Sequence, residues 1–300
     1  MQQLGFDGMP TRLFSCTPSR LASYSDCPRR YRMTYLDRPT PPRGAPWAHN
    51  SLGASVHNAL RAWWDLPRDR RTAAAAVGLL RSGWITDGYR DREQSEATRV
   101  RASRWVEEYV AELDPDDEPI GLERTVATRT DTLAVSGRID RLDDRDGELV
   151  VVDYKTGRSE LSTDDTRGSQ ALALYAVAAG RTLRRPCHTV ELHHLPTGTV
   201  HAFTHTEESL ARHLRRAEGT AADIVAATGR LAAGATQDEA FPPAPSTRCG
   251  WCDFRRHCPE GRAASAEKEP WVSVAVAEGQ EPAGHARTSS STASSARTHG

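Results

Sequence analysis

The sequence predicts an α/β fold, a mixed sheet flanked by helices, with a helical N-terminal part and a cysteine cluster near its far end. Three observations carry this reading. Apolar stretches with helical period fill the first third of the chain. Short alternating segments then meet at the turn Asp144-Arg145-Asp146-Gly147, as the two arms of a hairpin do. A helix-length apolar run and a second pair of strand-like segments follow. The order of helix, three strands, helix and strand fits a mixed α/β sandwich.

Taken in order, residues 19–35 and 51–64 read as helices, and 72–80 and 93–113 as further helices of an insertion before the sheet. Gly121-Leu122-Glu123-Arg124-Thr125-Val126 reads as a first strand. Residues 135–142 alternate in a two-residue period and form a second, and the run Leu149-Val150-Val151-Val152 marks a buried third. Ala171-Leu172-Ala173-Leu174-Tyr175-Ala176-Val177 belongs to the next helix. Residues 189–195 form a strand that turns at Pro196-Thr197-Gly198 and returns through 199–205. Residues 207–233 form a long helix, with Leu210, Leu214 and Ile224 near helical spacing. After about residue 264 the chain becomes rich in Ser, Thr, Ala and Gly, and 288–300 is expected to be disordered. No linker divides the chain, which gives a flexible arm over 1–18, one domain over 19–262 and a disordered tail over 263–300. No segment is apolar enough to span a membrane, and the first fifteen residues lack the core of a signal peptide. A cytoplasmic protein with reduced thiols is expected.

A net charge of −1 does not advertise nucleic-acid binding. Positive charge is nevertheless clustered: Arg29, Arg30 and Arg32; Arg68, Arg70 and Arg71; Arg181, Arg184 and Arg185; Arg212, Arg215 and Arg216. Arginines can clamp phosphates, and Trp63, Trp64 and Trp105 offer stacking faces for unpaired bases. The alternative is that such arginines solvate helix surfaces. Arg29, Arg30 and Arg32 are the first candidates for nucleic-acid contact.

Among 39 Lys and Arg residues, only Lys155 and Lys268 are lysine. A lysine kept in an arginine-rich chain marks a place where a compact ammonium is needed and a planar fork will not serve. Lys155 ends the third strand as Asp153-Tyr154-Lys155, and the strand period puts Asp153 and Lys155 on one face. Asp140 lies four residues before the turn and Asp153 six after it, so both can approach one cation near the same end of the sheet. Paired carboxylates repel unless a divalent cation such as Mg²⁺ or Mn²⁺ neutralises them. Glu123 can reach the same region, a plain surface glutamate being the alternative. A rim salt bridge is the alternative for Asp153 and Lys155.

Four of the six cysteines fall as Cys27 and then Cys249-x2-Cys252-x5-Cys258. That is the count for a four-thiolate site, and both Zn²⁺ and an iron–sulfur cluster accept it. Cys16 and Cys187 are left as unassigned thiols.

Gly53-Ala54-Ser55-Val56-His57, Gly137-x-x-Asp140, Asp153-x-Lys155, Gln170 and Tyr175 stand in an order that resembles RecB-like nucleases of the PD-(D/E)XK superfamily, including AddB-type and CRISPR-associated exonucleases. The resemblance spans roughly residues 19–262. It implies a restriction-endonuclease-like fold and a metal-dependent DNA exonuclease of repair or recombination. His57, Asp140, Asp153 and the Tyr154 carbonyl would bind Mg²⁺ or Mn²⁺, and Lys155 would orient or activate the attacking water. Gln170 and Tyr175 would help hold the site, although here they are five residues apart and not four, about 140° around a helix. Gln170 is the preferred member of the pair, because Tyr175 could be a core aromatic. In iron–sulfur members one cysteine precedes the nuclease core and three follow it, so the resemblance favours a [4Fe–4S] cluster on Cys27, Cys249, Cys252 and Cys258 over zinc. The chain carries no Gly-x4-Gly-Lys-Ser/Thr loop. DNA is the expected partner, and without a motor of its own the chain would act alone on accessible ends or with a separate helicase. The alternatives are a non-catalytic iron–sulfur or zinc DNA-binding subunit and a nuclease of CRISPR adaptation.

Overall fold

A computed structural model describes residues 13–275. A short strand, β1 (Phe14–Cys16), leads into α1 (Pro18–Asp26) and α2 (Pro28–Tyr35). The single helix expected over 19–35 is thus broken. Pro28 lacks an N–H and forces the preceding residue out of the helical region, and Cys27 is extended at φ −165° and ψ 111°. The break holds Cys27 at a half-buried corner between the helices.

Three helices follow: α3 (Ala48–Trp64), α4 (Ala73–Ser82) and α5 (Arg92–Ala111). The sheet then begins with β2 (Gly121–Arg129), β3 (Leu133–Arg145) and β4 (Glu148–Lys155). After α6 (Thr163–Gly168) and α7 (Gln170–Leu183) come β5 (Thr189–His194) and β6 (Thr199–Thr204). The chain closes through α8 (Glu207–Ala232), α9 (Gln237–Ala240), two short 3₁₀ turns and α10 (Pro259–Ala264). The α/β class and the helix–three-strand–helix–strand order stand as expected. Too short to leave a pattern in the sequence, β1, α6, α9 and α10 come only from the structure.

The six strands are ordered β1-β3-β4-β5-β6, with β2 on the other edge of β3. β1 and β4 share one edge of the long β3, β1 parallel at its start and β4 antiparallel at its end. β4 and β5 are parallel, which requires the α7 crossover between them. Helix α7 packs on one face against β2, β3, β4 and β5, with α8 and α1 behind it. On the other face, α3, α4 and α5 bury Val150, Val152 and Tyr154 of β4. Trp63 and Trp64 are buried in this layer and Trp105 packs against it, so the three are core residues and not stacking faces.

A buried polar network ties α5 to the sheet. The Tyr109 hydroxyl pairs with His193 Nδ1 at 2.8 Å, and His193 Nε2 meets Glu191 at 2.8 Å. Glu191 accepts from Arg145, and Arg141 donates to Asp143 and to the Tyr109 oxygen. Each buried charge thus has an opposite partner, without which burial would be costly.

The described part of the tail expected from 263 is held against the domain. Lys268 N–H donates to the Gly250 carbonyl and Ala48 N–H to that of Pro270, while Trp271 and Val274 pack against the α3–α5 core. Two apolar anchors in a polar stretch are enough to hold it down. Residues 276–300, with the disorder expected over 288–300, lie outside the described residues. So do residues 1–12 of the expected arm, whose later part supplies β1.

Candidate active site

The register of β3 and β4 pairs Arg141 with Val152, so one step on Asp140 stands opposite Asp153. This settles the register that the turn alone left open. The same count across β2 and β3, from Leu122–Arg141 and Arg124–Ile139, puts Glu123 opposite Asp140. Three carboxylates therefore line up across three neighbouring strands.

His57 comes to them from the middle of α3. Its Nδ1 lies 3.3 Å from Asp140 Oδ1, and its Nε2 lies 3.1 Å from the Tyr154 carbonyl oxygen. The second Asp140 oxygen accepts the Tyr154 N–H at 3.0 Å. Asp140 thus ties α3 to the end of β4. Burial lowers the affinity of His57 for a proton, but the Asp140 hydrogen bond and the charges of Asp140 and Asp153 outweigh it. The ring's pKa is raised above its ordinary value. Burial pushes the Asp153 carboxyl up, Asp140 adds to the push, and Lys155 offsets only part of it. Lys155 forms an ion pair with Asp153.

Among the described residues, one set of three ligand-type side chains has all its donor atoms within 4.8 Å of one another: His57, Glu123 and Asp140. Glu123, the weaker candidate on sequence, stands inside the set. Its backbone has φ +46°, a left-handed conformation that L residues other than Asn and Asp seldom adopt. A glutamate held there is aimed at Asp140 by its backbone. Asp153, expected as a ligand, lies beside this set and is engaged by Lys155.

The structure sends Gln170 and Tyr175 to different partners. Gln170 is the first residue of α7, and its amide donates to the His213 carbonyl of α8 at 3.4 Å. Tyr175 packs its ring on Gly137 of β3. Burial, Asp153 and Asp140 raise its phenol to about 12, with Arg138 opposing, so Tyr175 shares the carboxylates' locale. The five-residue spacing separates the two roles: one side chain braces the helix pair and the other faces the sheet.

The four candidate cysteines, Cys27, Cys249, Cys252 and Cys258, line one cavity together with Arg30, Met33, Phe254 and Gly261. A Cβ on Gly261 would lie 3.3 Å from the Cys258 sulfur and 3.5 Å from that of Cys249, so the glycine leaves the thiols their room. The N–H groups of Gly261 and Ser246 donate to the sulfurs of Cys258 and Cys249, each at 3.4 Å. Cys16 and Cys187 are buried elsewhere.

Arg29 and Arg32 do not have the exposed position expected of phosphate contacts. They are 5% and 4% exposed. Arg29 donates to the Cys258 sulfur and pairs with Asp238 and Glu260, and Arg32 pairs with Asp37. Their charges are already matched inside the protein. Arg30 alone of the three is exposed.

No helix among the described residues is long and apolar enough to cross a membrane. No curated protein matches the chain. Among solved structures, a protein of Eubacterium rectale provisionally named an exonuclease is similar at 13% identity and a TM-score of 0.43, over 86% of this chain and 94% of that one. The sequence pattern of the PD-(D/E)XK nuclease superfamily matches residues 15–259, from β1 through the last cysteine. The chain belongs to the PD-(D/E)XK nuclease superfamily.

Proposed function

We propose that the protein is a divalent-metal-dependent DNA exonuclease of the RecB-like type, cytoplasmic, working in repair or recombination beside a separate helicase. The observation that carries the reading is the convergence of His57, Glu123 and Asp140 within 4.8 Å, with Asp153 and Lys155 across from Asp140. The RecB-like type and the exonuclease action are supported by the ordered motifs from Gly53 to Tyr175.

The residues fit a hard cation. Two of the three donors are carboxylates, whose mutual repulsion is relieved by Mg²⁺ or Mn²⁺. The Tyr154 carbonyl and Asp153 stand beside them as further oxygen donors. A cation bound there would supply charge neutralisation at the scissile phosphate and would acidify the attacking water.

The chain's own groups do the rest. Asp140 orients the His57 ring through Nδ1 and fixes the Tyr154 backbone through its second oxygen. Lys155, half exposed at the end of β4, can hold the attacking water and offset charge developing on the phosphate. Its compact ammonium fits beside Asp153 where a guanidinium fork would displace it. Tyr175 walls one side of the site, and Arg30 offers an exposed charge for a phosphate.

The cysteines are assigned to a [4Fe–4S] cluster. One cysteine stands before the sheet and three after it, the order that the resemblance associates with iron–sulfur members, and all four line one cavity. The N–H groups aimed at Cys249 and Cys258 suit thiolates.

Protein purified without oxygen tests both halves. A brown solution holding about four irons supports the cluster, and a colourless one with a single zinc removes it. End-labelled linear DNA should be digested with Mg²⁺ or Mn²⁺ and not with EDTA, while closed circles persist. DNA bound but never cut would leave a non-catalytic subunit.

A further inference from the structure

We propose that Arg138 is a phosphate clamp held in reserve by Glu123 and released when a divalent cation takes the Glu123 carboxylate. The proposal rests on the nuclease reading above and adds a residue and a coupling to it.

Arg138 precedes Asp140 by two on β3, so both side chains leave the same face of the strand. Glu123 stands opposite Asp140 and therefore diagonal to Arg138, within reach of long side chains. The two are joined, Arg138 Nε lying 2.5 Å from Glu123 Oε2. The partners differ in exposure: Glu123 is 13% exposed and Arg138 is 69% exposed. The carboxylate belongs to the site, while the guanidinium stands at its mouth.

Glu123 is thus claimed twice. It is one of three donors converging within 4.8 Å, and it is the counter-ion of Arg138. A hard cation at about 2.1 Å outcompetes a guanidinium for carboxylate charge, because the doubly charged ion approaches closer. The arginine then loses its partner without being buried, next to the place where the phosphate must lie. A planar fork freed there matches a phosphate oxygen pair. Cation and DNA then favour each other's binding through one arginine, and by linkage the coupling is reciprocal.

The test is DNA binding without cleavage. Anisotropy of a labelled oligonucleotide is measured against salt, in EDTA and in Ca²⁺, for wild type, Glu123→Gln, Arg138→Gln and the double variant. In wild type, Ca²⁺ should tighten binding by about fivefold or more and steepen the salt dependence by about one phosphate contact. Arg138→Gln should lose that increment. In EDTA, Glu123→Gln should bind more tightly than wild type, since the clamp is already free, and the double variant should lose the gain. Glu123→Asn, which tolerates a left-handed backbone, is the second variant should the glutamine form fold poorly. A gain that persists undiminished in the double variant, or a full Ca²⁺ effect in Arg138→Gln, overturns the clamp. Wild-type digestion, followed in parallel, separates this from failure of the nuclease reading. A protein that neither binds nor cuts DNA loses both.

Discussion

The ring of Tyr175 fills the space that a side chain on Gly137 would need. A Cβ at Gly137 would lie 2.2 Å from Tyr175 Cε1, far inside contact distance. The glycine of the Gly137-x-x-Asp140 motif is therefore required by packing, since the edge of an aromatic ring of α7 abuts β3 three residues from Asp140. Gly137→Ala should cost about 1–3 kcal/mol by overpacking, read from chemical denaturation. Tyr175→Ala should make the same glycine substitution nearly free, and equal costs in both backgrounds would remove the contact.

Asp153→Asn and Lys155→Arg should each lower cleavage by about 100-fold or more. Neither should shift the thermal midpoint much, because both groups sit at the open end of β4 and burial already opposes the Asp153 charge. The arginine variant is the more pointed one, as it keeps the charge and changes only its shape. Near-normal digestion by Lys155→Arg would show that the lone lysine is dispensable as such.

Arg29 and Arg30 are neighbours with different work. Arg29→Ala strips a buried guanidinium from Asp238, Glu260 and the Cys258 sulfur, and should destabilise by about 1.5–3 kcal/mol. Arg30→Ala should leave the melting temperature in place and weaken DNA binding, most visibly at low salt. The reverse pattern in paired melts and binding curves would contradict the burial assignment.

His205 gives the protein an acid-sensitive element. It is 2% exposed, with Nδ1 on Ser209 Oγ at 2.9 Å. Burial, then the charges of His213 and Arg212, lower its pKa from 6.5 to about 4. Between those values the unfolded chain binds a proton that the folded chain refuses. Stability from this residue is therefore full above pH 6.5, falls as the pH drops, and levels off below 4. At pH 5 the loss is about 2 kcal/mol. His205→Asn should flatten the pH dependence of unfolding across that window, and an unchanged slope would assign the acid sensitivity elsewhere.

On the proposed [4Fe–4S] assignment, substituting Cys27, Cys249, Cys252 or Cys258 by Ser should bleach the protein and lower its melting temperature, while Cys16→Ser and Cys187→Ala should leave its colour alone. The two ends of the domain are also joined without sulfur, by the Arg29–Glu260 pair and by the Trp47 indole N–H on Asp253. Loss of the group should therefore loosen the ends without unfolding the sheet. Hydrogen exchange would show this as faster exchange in α1, α2 and α10 with β3 and β4 still protected.

Local chemistry already written in the sequence determined much of this protein. The strand period put Asp153 and Lys155 on one face, the Asp/Gly turn made a hairpin of β3 and β4, and cysteine spacing singled out four thiols that share one cavity. These are short-range features, set by backbone periodicity and turn geometry within a few residues. Only the tertiary structure decided what depends on distant partners. Whether an arginine is buried rests on acids more than 200 positions away, as with Arg29 and Glu260. Whether Trp63 stacks on a base or fills a core depends on where α4 and α5 lie. Glu123 comes beside His57 and Asp140 through a β2–β3 register and a left-handed backbone that no window of sequence displays. Tyr175 lies against Gly137 across nearly forty residues of chain, while Gln170 turns to the His213 carbonyl of α8. Side-chain partners of this kind are chosen by packing in three dimensions, and a pattern read along one dimension carries no term for them.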